Sequence, residues 1–298
     1  LSSPAEAAPA APEGTPAPKS PGWSLRLRIA SGVLFVPLLI LLARAGGLAF
    51  VAFVGLQVAL GLNEFYRMMR GKGLEPHGRI GTLAAMVLLW VCYRPQRGPG
   101  DLLAASFVIL VLALGLRRPE RERQVEAMAV TLFGVLYVGW LSAHFVLLRE
   151  LPWSAGLEYA RGGDFVLLAF FVTWSCDTGA YAFGRMFGRV RPWQKISPRK
   201  SLEGSIGGLI SAVVAAFIAK YWFAPFLRVF DAAALGLLVG VSGQVGDLVE
   251  SLLKRDARHG DSSDTIPGHG GILDRFDSLY FAAPLVFYYL RMVVFRVP

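Results

Sequence analysis

This chain is poor in charge. Asp, Glu, Lys and Arg make up only 17% of its 298 residues, whereas 54% are hydrophobic and the mean hydropathy is +0.50. Ordinary soluble domains carry roughly 25% charged and about 45–50% apolar residues, so a soluble globular domain is excluded. Cysteine is scarcer still. Cys92 and Cys176 both fall in apolar segments, which rules out a disulfide framework and leaves buried free thiols. The paired His/Cys spacing of a zinc site is missing, as are a P-loop and a G-x-G-x-x-G motif with its lysine. Any nucleotide would therefore be bound without the fold of a soluble NTPase. No internal repeat is visible.

Long apolar runs fill the chain instead, and they predict an all-α polytopic membrane protein of about nine transmembrane helices. The expected spans are about 24–45, 47–66, 80–93, 101–116, 126–148, 164–184, 204–223, 232–253 and 275–295. Residues 1–22 are Pro/Ala-rich and are expected to form a disordered tail. No cleavable signal peptide is expected, because the first apolar run is long enough to stay in the bilayer. Residues 23–160 form an N-terminal group of plain apolar helices, with Asn63, Glu64 and Tyr66 as the main polar exceptions. Residues 161–298 form a C-terminal group that carries the catalytic helices and their loops. With the N-terminus in the cytoplasm, the loops 67–79, 117–125, 185–202 and 254–274 hold most of the Lys and Arg, as the positive-inside rule requires. The net charge of +9 thus reads as topology and contact with anionic lipid, not as nucleic-acid binding.

Two polar stretches interrupt the apolar pattern. In residues 244–278, Asp247, Glu250, Ser251 and Lys254 fall at i, i+3, i+4 and i+7, one stripe of a helix. A second helix opening near Gly271 puts Asp274 and Asp277 one turn apart. Asp247, Asp274 and Asp277 are oxygen ligands that suit a hard cation, which also borrows phosphate oxygens from a substrate. Lys254 and Arg255 are placed to neutralise phosphate charge, and Gly268, Gly270 and Gly271 let the backbone approach a ligand. His269 reads equally as a phosphate donor, a proton carrier or a helix cap. In residues 174–208, Asp177 and Tyr181 share a helix face. Asp177 is either functional or a helix-packing hydrogen bond. The following loop supplies Arg185, Arg189, Arg191, Lys195, Arg199 and Lys200 with Ser197 and Ser201. This loop reads either as a phosphate cradle or as a topology-setting basic segment.

The run S-L-L-K-R from Ser251, followed by D-S-S and P-G-H-G-G-I-L-D-R-F-D to Asp277, resembles the signature of phosphatidate cytidylyltransferases (CDP-diacylglycerol synthases). D-T-G-A-Y, G-R-M-F-G-R and I-S-P-R-K-S-L-E-G resemble a second block of that family, so the likeness is specific over roughly 165–295. The resemblance implies transfer of CMP from CTP to phosphatidic acid, giving CDP-diacylglycerol and pyrophosphate for phospholipid synthesis. It implies Mg²⁺, with or without a second cation, held by Asp247, Asp274 and Asp277. Lys254 and Arg255, with Asp247, would be catalytic. Asp177, Tyr181, Lys195, Ser197, Lys200, Ser251, His269 and Arg275 would contact substrates. A homodimer in a bacterial inner membrane, facing the cytoplasm with its active site, is implied as well. One departure stands out: Gly260 occupies the place of the signature lysine, and Arg258 or the basic loop is the nearest substitute. A CDP-alcohol phosphotransferase is disfavoured because D-T-G-A-Y does not fit its D-G-x-x-A-R motif. A transporter is disfavoured because the charges cluster at one end.

Overall fold

The computed structural model describes residues 21–93, 100–116, 123–257 and 271–297. His269, Gly260, Arg258, Gly268, Gly270 and most of the expected tail lie outside the described residues. Every regular element among the described residues is helical. In chain order these are α1 (Pro21–Ala45), α2 (Gly47–Gly71), α3 (Gly78–Tyr93), α4 (Gly100–Gly115), α5 (Gln124–Gly134) and α6 (Leu141–Ala155). Then follow α7 (Arg161–Phe187), α8 (Leu202–Trp222), α9 (Val229–Asp256) and α10 (Leu273–Tyr289). A π-helical turn, Val135–Trp140, joins α5 and α6 into one rod of 32 residues. A second π turn, Leu290–Val294, extends α10.

Five rods are long and apolar enough to cross a bilayer: α2, the α5–α6 rod, α7, α8 and α9. Shorter apolar helices cover 32–45, 78–93 and 102–115. The outer surface confirms the solvent for which the fold is built. Leu34, Leu41, Leu83, Ile109 and Trp222 stand exposed, which suits hydrocarbon and would be a liability in water. This is a polytopic membrane protein.

Small residues decide how closely the C-terminal helices pack. α7 and α8 form the most intimate pair. They meet where Gly204 faces Ala180 and Gly184, and a Cβ on Gly204 would stand 2.8 Å from the Ala180 carbonyl oxygen. Without a hydrophobic drive between helices in lipid, such backbone approach supplies the packing contact.

The N-terminal helices are fastened to one another by a buried cation. Arg149 of α6 is almost fully buried and caps the end of α1, donating Nε to the Ala43 carbonyl (2.6 Å) and Nη2 to that of Arg44 (3.1 Å). Its Nη1 donates to the Tyr159 carbonyl at 3.0 Å, and the guanidinium lies 4.0 Å from the Tyr159 ring centroid. A cation at a helix C-terminus is favourable, and three carbonyls, that of Ala43 buried, depend on this one side chain. Arg149→Met would strand them at a cost of about 2–3 kcal/mol, so we expect the apparent Tm in detergent to fall by about 5–10 °C. An unchanged melting curve would show that these carbonyls find other partners.

Candidate active site

One end of the bundle collects the termini of α2, α3, α7, α8, α9 and α10. Contacts between the loops show this directly. Lys72, just past α2, pairs with Asp256 at the end of α9, and Arg255 Nε donates to the Ile196 carbonyl in the loop before α8 (3.3 Å). All the expected site residues that the structure describes lie towards this end.

The α7–α8 loop is built to be compact. Ser201 is the N-cap of α8 and accepts the Gly204 N–H (3.1 Å), so the helix starts at Leu202. Glu203, in the first turn, accepts the N–H groups of Arg189 and Val190, folding the loop back on the helix. Arg191 closes the loop on the Pro198 carbonyl (2.8 Å). This leaves Arg185, Arg191, Arg199 and Lys200 on the wall of a cavity of ≈ 820 Å³ between α7, α8 and α9. Asp177, Tyr181 and Asp247 line the same cavity.

Behind Lys200 stands a cluster of acids. Carboxylate oxygens of Asp247 and Glu250 on α9 and Asp277 on α10 all lie within 4.8 Å of one another. Gly246 brings these helices together: a Cβ there would sit 2.5 Å from the Asp277 carbonyl oxygen. Asp177 reaches the cluster from α7, accepting the Ser278 hydroxyl at 3.4 Å. Two lysines meet the charge. Lys200 Nζ is 2.7 Å from Asp247, while Lys254 Nζ bridges Glu250 (2.7 Å) and Asp274 (2.8 Å). Of the expected metal set, the structure brings Asp247 and Asp277 together with Glu250, while Asp274 lies beside Glu250 and pairs with Lys254.

The register of α10 is fixed from α2. The buried Glu64 accepts the N–H groups of Ile272 (3.1 Å) and Leu273 (2.9 Å), donors that a helix start leaves without an intrahelical partner. Two turns earlier, Gln57 donates Nε2 to the Tyr280 hydroxyl (2.8 Å). Phe276 packs against Phe145 and Phe170, with centroids 6.3 and 6.1 Å away. These contacts set the rotation of α10 that turns Asp277 towards α9.

The remaining expected residues fare differently. Tyr181 is exposed in the cavity and accepts from Arg185 (3.2 Å). Arg255 is exposed and serves the loop contact described above, and Ser251 is half-buried one residue past Glu250. Arg275 is exposed in the first turn of α10. Lys195 is exposed and, with Ser197, does not line the cavity. Glu250, Glu64, Gln57 and Gly246 were not among the expected site residues, although Glu250 stood in the expected polar stripe of α9. The seven-residue spacing of Gln57 and Glu64, two polar groups on one face of an apolar helix, was the available signal for that pair. A methyl group at Gly246 must push α10 away from α9. Gly246→Ala is therefore expected to lower turnover at least about 100-fold through misplacement of roughly an ångström, while membrane insertion is kept. Wild-type turnover in that variant would show that the close contact is dispensable.

The Cytidylyltransferase family model matches residues 26–293. A phosphatidate cytidylyltransferase of Synechocystis sp. is 34% identical over 291 residues, covering 90% of this chain and 97% of that protein. The enzyme of that name from Bacillus subtilis is 32% identical over 275 residues (90% and 98%), and one from Staphylococcus aureus is 35% identical over 262 residues (85% and 93%). The acid cluster and the basic cavity both lie within the residues that the family model matches, and the chain belongs to the cytidylyltransferase family.

Proposed function

We propose that this protein transfers CMP from CTP to phosphatidic acid, releasing pyrophosphate and forming CDP-diacylglycerol. The observation that carries this reading is the union of a basic cavity with an acid cluster through one ion pair, Lys200–Asp247. A triphosphate needs cationic and N–H-rich surroundings, and Arg185, Arg191, Arg199 and Lys200 supply the cations. In the reaction a phosphatidate oxygen forms a bond to the α-phosphorus of CTP, and the bond from that phosphorus to the bridging oxygen breaks. The attacking phosphate is already anionic, so no side chain has to act as a strong base. The protein's task is positioning and charge neutralisation.

Three carboxylate oxygens within 4.8 Å form a hard donor set that fits Mg²⁺. Asp247, Glu250 and Asp277 would hold it, and when bound it would supply positive charge to the nucleotide phosphates. Asp274 then acts by fixing Lys254, which in turn orients Glu250. Lys200 sits where it can exchange Asp247 for a phosphate oxygen as CTP enters. Asp177, Tyr181 and Arg185 line the adjoining wall, where the nucleotide or the lipid headgroup would rest. The basic loops at this end support a cytoplasm-facing site in a bacterial inner membrane with the N-terminus inside. The family likeness supports a homodimer.

The test is conversion of labelled CTP by purified protein in detergent. Lipid-linked CMP should appear with phosphatidate and Mg²⁺ and disappear with EDTA; no product across several divalent cations would overturn the reading. Two lysines of one loop give a sharper contrast. Lys200→Ala should lower kcat/KM for CTP at least about 100-fold, a loss typical of a transition-state charge contact, whereas Lys195→Ala should stay within about threefold. Equal losses in the two would mean that the loop acts through its total charge alone.

A further inference from the structure

A separate cavity of ≈ 860 Å³ lies between α2 and α3 and shares no lining residue with the one beside Lys200. One face of α2 forms its floor: Ala59, Asn63, Tyr66 and Arg70, at i, i+4, i+7 and i+11. His77 and Arg79, at the turn into α3, form the opposite wall. The cavity is polar at the loop end and extends inwards to Ala59, about 18 Å along α2 from the helix end at 1.5 Å per residue. Leu56 and Leu83, beside it on the two helices, are exposed on the lipid-facing surface, so the cavity borders the bilayer.

Its polar end is built and cationic. Arg70 folds over the start of α3, its Nη1 3.6 Å from where a Cβ on Gly78 would stand. Neither Arg70 nor Arg79 pairs with a carboxylate among the described residues. His77 is fixed from both sides: its N–H donates to Thr131 Oγ1 (2.9 Å), and its carbonyl accepts the N–H groups of Ile80 and Gly81 (both 3.0 Å). Its ring Nε2 is nevertheless buried with no hydrogen-bond partner among the described residues. A buried polar atom of this kind costs free energy unless a ligand or water completes it.

We propose that this cavity is a lipid-phosphate site, holding the phosphomonoester headgroup of a membrane lipid. Arg70 and Arg79 take the phosphate oxygens, and the glycerol end lies along α2 towards Ala59. Two guanidinium groups suit a dianionic phosphate better than the singly charged diester of ordinary phospholipids. The choice of phosphatidate as that lipid rests on the function proposed above. Asn63 lines the cavity while its neighbour Glu64 caps α10, so the lipid would be held on the far side of α2 from the acid cluster.

The test is retention of labelled phosphatidate in mixed detergent micelles by the full chain, without CTP or divalent cation. A Lys200→Ala background minimises binding at the other cavity. Adding Arg70→Ala and Arg79→Ala should weaken retention at least about tenfold, while Arg70→Lys with Arg79→Lys should recover part of it, as a loss of fork geometry but not of charge predicts. Excess phosphatidylcholine and glycerol 3-phosphate should compete poorly. Equal retention with and without the two arginines would overturn the site. Full competition by glycerol 3-phosphate would overturn the lipid as its ligand in favour of a soluble phosphate ester. Because no product is measured, the result stands apart from the CTP assay: phosphatidate held by these arginines in a protein that makes no CDP-diacylglycerol would refute the function and keep the site.

Discussion

Like-charge repulsion is the constraint on which the rest of this structure depends. Asp177, Asp247, Glu250, Asp274 and Asp277 converge from α7, α9 and α10 at one end of an apolar bundle. Two unit charges about 4 Å apart interact by about 4 kcal/mol at an effective dielectric near 20, so such a group does not assemble by itself. Lys200 and Lys254 offset part of the repulsion, each from a fixed direction. The remainder is carried by packing: Gly246 lets α9 and α10 touch through backbone, and the glycine contacts of α7 and α8 hold the third wall. A bound divalent cation and an anionic substrate would relieve the balance further, which is why an arrangement costly to the empty fold suits a phosphate-handling site.

The two halves of the chain are coupled through this same point. Glu64 and Gln57 belong to the plain N-terminal helices, yet they set the start and rotation of α10. Arg149 does a parallel service at the opposite end by closing α1. The N-terminal helices thus act as a clamp on the acid-bearing ones, and the same stretch of α2 that clamps α10 also offers its other face to the cavity beside α3.

Much of the fold was legible in the sequence because hydropathy reports the solvent directly. Each expected span coincides with a helix among the described residues, but only five of the rods are long and apolar enough to cross a bilayer, and a π turn continues 124–155 as one of them. The acidic stripe of α9 was legible from its i, i+3, i+4 spacing, Glu250 included. What periodicity could not give was the partner of each carboxylate. Asp274 and Asp277 are equivalent by one-dimensional spacing, and only the rotation of α10 against α9 places Asp274 between Lys254 and Glu250 and turns Asp277 towards both Asp247 and Glu250. Lys195 and Lys200 were likewise equivalent as members of one basic loop. The N-cap at Ser201 separates them, because it places Lys200 against the start of α8 beside Asp247 and leaves Lys195 outside.

The central proposal is that Asp247, Glu250 and Asp277 hold a divalent cation and that Asp274, although beside Glu250, is not a ligand. Binding of Mn²⁺ to the purified protein without nucleotide, followed by electron paramagnetic resonance, tests it most directly. The account predicts one site in the wild type, weakened at least about tenfold by Glu250→Gln and by Asp277→Asn, and changed no more than about threefold by Asp274→Asn. Loss of Mn²⁺ on Asp274→Asn together with unaltered binding in Glu250→Gln would contradict it.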